Sequence, residues 1–122
     1  MDEKLSLFGD LIIKCVRDNS LFVLEGVISG HMKSQIDTEM HEKITKMTKE
    51  DVEILRDMAY RMVDLTIHNV LFMFEDSPSW KISNEQEMIT SLSELSDGLA
   101  GELYTSDGWI SKFSNYPPSK II

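Results

Sequence analysis

Thr48-Lys49-Glu50-Asp51 opens the stretch TKEDVEILRDMAYRMVDLTIHNVLFMFED, which runs from Thr48 to Asp76 without a proline or a glycine. Thr48 is a good N-cap, and Glu50 and Asp51 place negative charge in the first turn, where the helix dipole favours it. Val52, Leu55, Met58, Ala59, Met62, Val63, Val70, Met73 and Phe74 then keep helical period. A helix reaching Asp76 is roughly 40 Å long at 1.5 Å per residue, enough to run through a small domain as its central element. Its second half, Leu65 to Phe74, is apolar on most sides, the pattern of a helix enclosed by neighbours. This stretch sets the expected fold class as all-α, a four- to five-helix bundle around one long helix.

Towards the N-terminus, Leu5, Phe8, Leu11, Ile12, Cys15 and Val16 share one helix face. Cys15 is thus expected to be a small buried hydrophobe. Asp18-Asn19-Ser20 either ends this helix or punctuates it, since apolar residues resume at Leu21 and continue to Gly30, a plausible stop. Met32, Ile36, Met40, Ile44 and Met47 follow, mostly four apart, as a narrow stripe in polar sequence. Its methionines suit either a core or an adaptable partner groove. Beyond Asp76, Ser77-Pro78-Ser79 is a turn, and Ser83 or Asn84 with Gln86 or Glu87 makes a capping signal. Met88, Leu92, Leu95 and Leu99 would then line a further helix. Residues 102–110 read either as a helix end followed by a short helix carrying Trp109, Ile110 and Phe113, or as a small β-hairpin around Asp107-Gly108. Tyr116-Pro117-Pro118 stops regular structure, and the last four residues read as a tail. With 122 residues and no linker or repeat, residues 1–122 form a single helical domain.

The chain carries a formal charge of −9. Almost all of it lies in residues 62–111, where nine acidic side chains face only Lys81. Such a surface repels phosphate, which disfavours nucleic acid and anionic membranes as partners. It suits solubility, or a basic protein partner. Asp2 and Glu3 occupy the place of a signal peptide's positive region, and no apolar run approaches the ~20 residues of a membrane span. One cysteine forms no internal disulfide, so a cytoplasmic setting is expected.

Candidate chemistry falls into two groups. Asp57, Arg61, Asp64 and His68 form one row on the long helix, with Glu75 continuing it. The ordinary reading is a solvent-facing ladder of ion pairs that marks the non-core face. The sharper one is a metal site in a helical-bundle enzyme, built from His31, His41, Asp64 and His68. No metal-binding, nucleophile or phosphate-loop motif accompanies these residues, and no cofactor is implied. The second group is aromatic and acidic. Tyr104 and Trp109, rimmed by Glu94, Asp97, Glu102 and Asp107, have the composition of a contact surface for a basic protein. Alternatively, Trp80, Tyr104, Trp109, Phe113 and Tyr116 simply close the end of the bundle.

Two stretches, Ile67 to Glu75 and Asp97-Gly98-Leu99-Ala100-Gly101-Glu102-Leu103-Tyr104 running through Trp109 to Pro118, resemble short uncharacterised bacterial proteins of domain-of-unknown-function type. Some of these look like immunity proteins of toxin systems. The resemblance covers the last half of the chain and brings no catalytic motif. It implies a bacterial, cytoplasmic setting and adds weight to a binding role, and the leading reading is a non-enzymatic protein-binding module. A homo-oligomeric module that buries the methionine stripe is the further alternative.

Overall fold

The computed structural model describes residues 3–119. Helix α1 (Glu3–Ile12), a π-helical segment (Ile13–Asp18) and α2 (Asn19–Ser29) form one uninterrupted rod. Asp18-Asn19-Ser20 does not end it; the Asn19 side chain donates back to the Cys15 carbonyl at 2.9 Å and stays within the helix. The rod stops at Gly30, whose φ of 87° lets the chain turn back as His31 N bonds Gly26 O at 2.8 Å. The π segment widens the helix and shifts its register, so Ile13, Arg17 and Asp18 all turn inward. Cys15 is carried to the surface by the same shift, correcting the expectation that it is buried.

Helix α3 (Gln35–Ile44) is capped by Ser34, whose hydroxyl accepts from Asp37 N at 3.1 Å. It buries none of its residues, and Ile36, Met40 and Met47 of the narrow stripe are exposed. Helix α4 (Lys49–Asp76) begins where expected, with Thr48 Oγ1 accepting from Asp51 N at 3.1 Å. Its 28 residues span roughly 42 Å. It is not enclosed, however. Tyr60, Asp64, Ile67 and Leu71 define its buried edge, whereas Met58, Met62 and Met73 face outward. Those three methionines belong to an apolar band too wide for the neighbours available, because the chain beyond Asp76 supplies no second long helix.

That C-terminal part departs most from expectation. The helix predicted from Ser83 does not form. Asn84 and Ile89 instead exchange two backbone hydrogen bonds, 2.9 and 2.8 Å, around a turn in which the Asn84 side chain accepts from Glu87 N. Met88, at φ 58° and 82% exposed, is the last residue of that turn. Four serines, Asn84 and Asp97 lie within residues 83–98, and their side chains compete for the backbone groups a helix would use. Leu92 and Leu99 of the apolar stripe are nonetheless buried, because 3-10 turns at Leu92–Leu95 and Ala100–Leu103 carry Leu92, Leu99 and Leu103 inward. No strand is present among the described residues, so the hairpin around Asp107 is absent. Gly108 lies against the Tyr104 carbonyl, where a Cβ would approach to 1.8 Å, and then leads into α5 (Trp109–Phe113).

The core joins α1, the C-terminal half of α4, the 3-10 turns and α5. Trp109 is fully buried and lies flat on Gly9, where an added Cβ would stand 2.5 Å from the indole ring; Phe8 packs edge-on at 5.9 Å. Ser119, expected in the tail, is buried, and its N–H points to Asp64 Oδ2 at 3.4 Å. The remainder of the predicted tail, residues 120–122, lies outside the described residues. No described helix is long and apolar enough to cross a membrane.

Candidate functional site

The charged row on α4 does not form a solvent-facing ladder. Asp64 is 3% exposed and faces Arg17, which the π segment buries completely. Arg17 Nε donates to Asp64 Oδ1 at 2.6 Å, and Nη2 reaches Oδ2 at 3.3 Å. The remaining N–H groups hold the chain beyond α5: Nη1 bonds Ser114 Oγ (2.7 Å) and the Tyr116 carbonyl (3.0 Å), and Nη2 bonds the Pro117 carbonyl (2.9 Å). Five hydrogen bonds match the five donors of a guanidinium, as a buried cation requires. Asp18 completes the node by accepting from Ser114 Oγ at 2.5 Å and from Asn115 N at 3.0 Å. Its effect is to pin Ser114 to Ser119 across α4 and the N-terminal rod. Arg17 escaped sequence reading because a lone arginine at the end of an apolar stripe looks like a surface residue.

A second polar node fixes the other end of α4 to α2. Arg56 Nε bonds both oxygens of Glu25 at 3.1 and 3.0 Å, and the Tyr60 hydroxyl donates to Glu25 Oε2 at 2.7 Å. Glu53 also accepts from Arg56. Burial opposes ionisation of Glu25, but the bonds from Arg56 and Tyr60 and the Arg56 charge outweigh it, so its carboxyl lies below the usual range. Burial, followed by the bond to Glu25, raises the Tyr60 phenol well above the ordinary range.

Beside the Arg17 node is a small cleft of about 160 Å³ lined by Arg61, Asp64, Leu65, His68, Tyr104 and Ser119. The His68 ring stacks on Phe72 at 6.3 Å and lies 5.7 Å from Tyr104, and its buried Nδ1 has no hydrogen-bond partner. Burial, and then the charge of Asp64, raise the Tyr104 phenol above 10.0. The four residues of the metal reading are not gathered into a ligand set. His31 Nδ1 meets Ser29 Oγ at 3.1 Å, and His41 Nδ1 meets the Val27 carbonyl at 2.9 Å, fastening α3 to α2. Both Asp64 oxygens are engaged by Arg17. Among the described residues no three His, Cys, Asp or Glu side chains converge on a common point.

The acidic group is distributed differently. Glu94, Asp97 and Asp107 are exposed, and no ion pair given by the structure engages them. Glu102 is half-buried and accepts from Ser96 Oγ at 2.6 Å, which ties the two 3-10 turns together. Glu75 Oε1 accepts from Ala100 N at 2.9 Å, securing the second of these turns to the end of α4. Tyr104 is half-buried and keeps an open edge on the cleft. Trp109 is not part of any contact surface: it is fully buried on Gly9, and only its role as a core anchor stands. A larger groove of about 390 Å³ runs between α1 and residues 82–92, lined mainly by Leu7, Phe8, Leu11, Ile82 and Ile89.

No protein-family model matches the chain, and comparisons with curated proteins and with solved structures likewise give no match.

Proposed function

We propose that the protein is a non-enzymatic protein-binding module whose acidic C-terminal half engages a basic protein partner. Toxin-neutralising immunity proteins, which some of the uncharacterised bacterial proteins resembling this half look like, are the concrete example. The reading rests on one observation: Glu94, Asp97 and Asp107 are exposed and outside any ion pair given by the structure, yet they project from turns anchored by Leu92, Leu99, Leu103 and Trp109. Fixed, unpaired carboxylates accelerate encounter with a cationic surface and lose little entropy on docking. Glu102 and Tyr104 lie beside them as half-buried polar contacts.

The test is affinity capture followed by titration of the purified partner. Charge reversal at Glu94, Asp97 and Asp107 together is expected to weaken binding at least tenfold and to flatten its salt dependence. Unchanged affinity with a folded triple variant overturns the reading.

A further inference from the structure

The outer face of α4 carries an apolar seam that nothing else in the fold covers. Met58, Met62, Leu65, Asn69 and Phe72 follow one another at intervals of 4, 3, 4 and 3, the spacing that returns side chains to the line between two packed helices. The four apolar members are 38–56% exposed, and Asn69 is exposed among them. In heptad terms Met62 and Asn69 are a positions, and Met58, Leu65 and Phe72 are d positions. One asparagine at an a position in an apolar seam specifies register at some cost in stability, a cost without purpose on a face meant for solvent. Two heptads are too few for an autonomous coiled coil. Here, however, α4 is already held as a helix by Tyr60, Ile67 and Leu71 in the core, so association need not supply the cost of helix formation.

We propose that this seam is a homodimer interface in which two copies of α4 pack antiparallel. The occupant follows from self-complementarity. Arg61 and Glu75 each stand one residue before an a position, on the same edge of the seam, and both are exposed. An antiparallel two-fold arrangement sets such positions against each other. With Met62 opposite Phe72 of the partner subunit, Arg61 meets Glu75 of the partner subunit, and the symmetry repeats the pair. Glu75 uses Oε1 for Ala100 N and keeps Oε2 for a second donor. In the same register the two copies of Asn69 fall in adjacent central layers, about 6 Å apart along the axis at 1.5 Å per residue. A parallel arrangement forms neither Arg61–Glu75 pair.

The area fits a weak, concentration-dependent dimer. Met73 flanks the seam and, with its four apolar members, presents roughly 480 Å² of side chain per copy, taking ~200 Å² for a large side chain fully exposed. A symmetric pair thus offers about 960 Å², the low end of specific interfaces, where association is weak. The seam contains none of Glu94, Asp97 and Asp107, so either proposal can fail alone.

The full chain is expected to sediment as a concentration-dependent dimer. Met62→Glu and Leu65→Glu each alter an exposed residue and should give monomers with unchanged circular dichroism and the melting temperature of wild type diluted to its monomer. Asn69→Leu should tighten association at least tenfold by completing the apolar seam. Spin labels on Thr66→Cys and on Glu50→Cys, each in a Cys15→Ser background, fix the direction. The Thr66 pair should lie within about 20 Å and the Glu50 pair about 50 Å apart, from a 34-residue offset at 1.5 Å per residue. A chain that stays monomeric at millimolar concentration overturns the proposal, including the case in which the seam binds only a different protein. So does a dimer indifferent to Met62→Glu, or one in which the Glu50 labels lie as close as the Thr66 labels.

Discussion

Replacing Asp64 by alanine removes the carboxylate paired with the fully buried Arg17 cation. Arg17 loses two of its five hydrogen bonds, Ser119 N loses its acceptor, and the guanidinium keeps only the Ser114 hydroxyl and two carbonyls against its positive charge. Breaking a buried pair by deleting one member costs about 3–5 kcal/mol. Against a total stability of about 5–15 kcal/mol this is a fifth or more. For a domain of this size each kcal/mol corresponds to roughly 3–6 °C, so the melting temperature should fall by about 10–30 °C. Urea unfolding of wild type and Asp64→Ala at neutral pH measures the loss directly. The double variant Arg17→Met/Asp64→Leu removes both charges and should lose less than Asp64→Ala alone, because no uncompensated ion is left. A loss below 1 kcal/mol for Asp64→Ala, or a double variant worse than it, would refute the buried-pair reasoning.

Gly9→Ala drives a methyl group into the Trp109 ring and should destabilise by about 1–3 kcal/mol in thermal unfolding, whereas Gly101→Ala, whose added Cβ meets nothing within 4 Å, should be close to neutral. The Glu25 carboxyl has its folded pKa depressed, so its contribution to stability is present above the unfolded value near 4.5 and is lost as pH falls through the folded value. Glu25→Gln should therefore flatten the acid limb of stability against pH. Tyr60 has the opposite sign: its folded pKa is raised, so stability present below 10.0 declines as pH rises beyond it, and Tyr60→Phe should flatten that alkaline limb. Cys15 is exposed and should react with a chromogenic thiol reagent in the folded protein as fast as in urea; slow reaction relieved only by unfolding would restore the register without the π segment.

The elements that the sequence makes legible are those set by local chemistry. Thr48 with Asp51 marks the start of α4, Gly30 marks the end of the N-terminal rod, and Trp109, Ile110 and Phe113 mark a short last helix. What could not be read is which face each helix buries. A π segment has no residue signature in Ile13 to Asp18, yet it decides that Arg17 enters and Cys15 leaves. Periodicity likewise assigned Met58, Met62 and Met73 to the core, because hydrophobicity reports that a face needs covering and not whether the cover comes from the same chain. From Ser83 to Leu99 the apolar spacing suggests a helix, yet only Leu92 and Leu99 of that stripe are buried and Met88 is exposed, because the intervening serines take the backbone elsewhere. Of the acidic group, the exposed carboxylates lie at the surface as composition suggests; Trp109 does not, because only the tertiary contact with Gly9 reveals where its ring goes.

The Arg17 node explains how a segment with so little regular structure holds a defined surface. Residues 77–108 contain no helix longer than a single 3-10 turn, and such a segment ordinarily samples many conformations. It is fixed from both sides. At its start it leaves the end of α4, where Glu75 holds the backbone of Ala100; at its far end α5 is docked by Trp109, and the chain after it is clamped by Arg17, Asp18 and Asp64. Fixing both ends lowers the entropy the intervening turns can gain by opening, much as closing a loop does. The acidic turns are thereby ordered by contacts that none of them makes. Loss of the buried ion pair should loosen Glu94, Asp97 and Asp107 together, although each lies outside the node. Any partner that uses those carboxylates should bind the Asp64→Ala variant more weakly even at temperatures where the variant is still folded, because it would have to pay for ordering that the node otherwise supplies in advance.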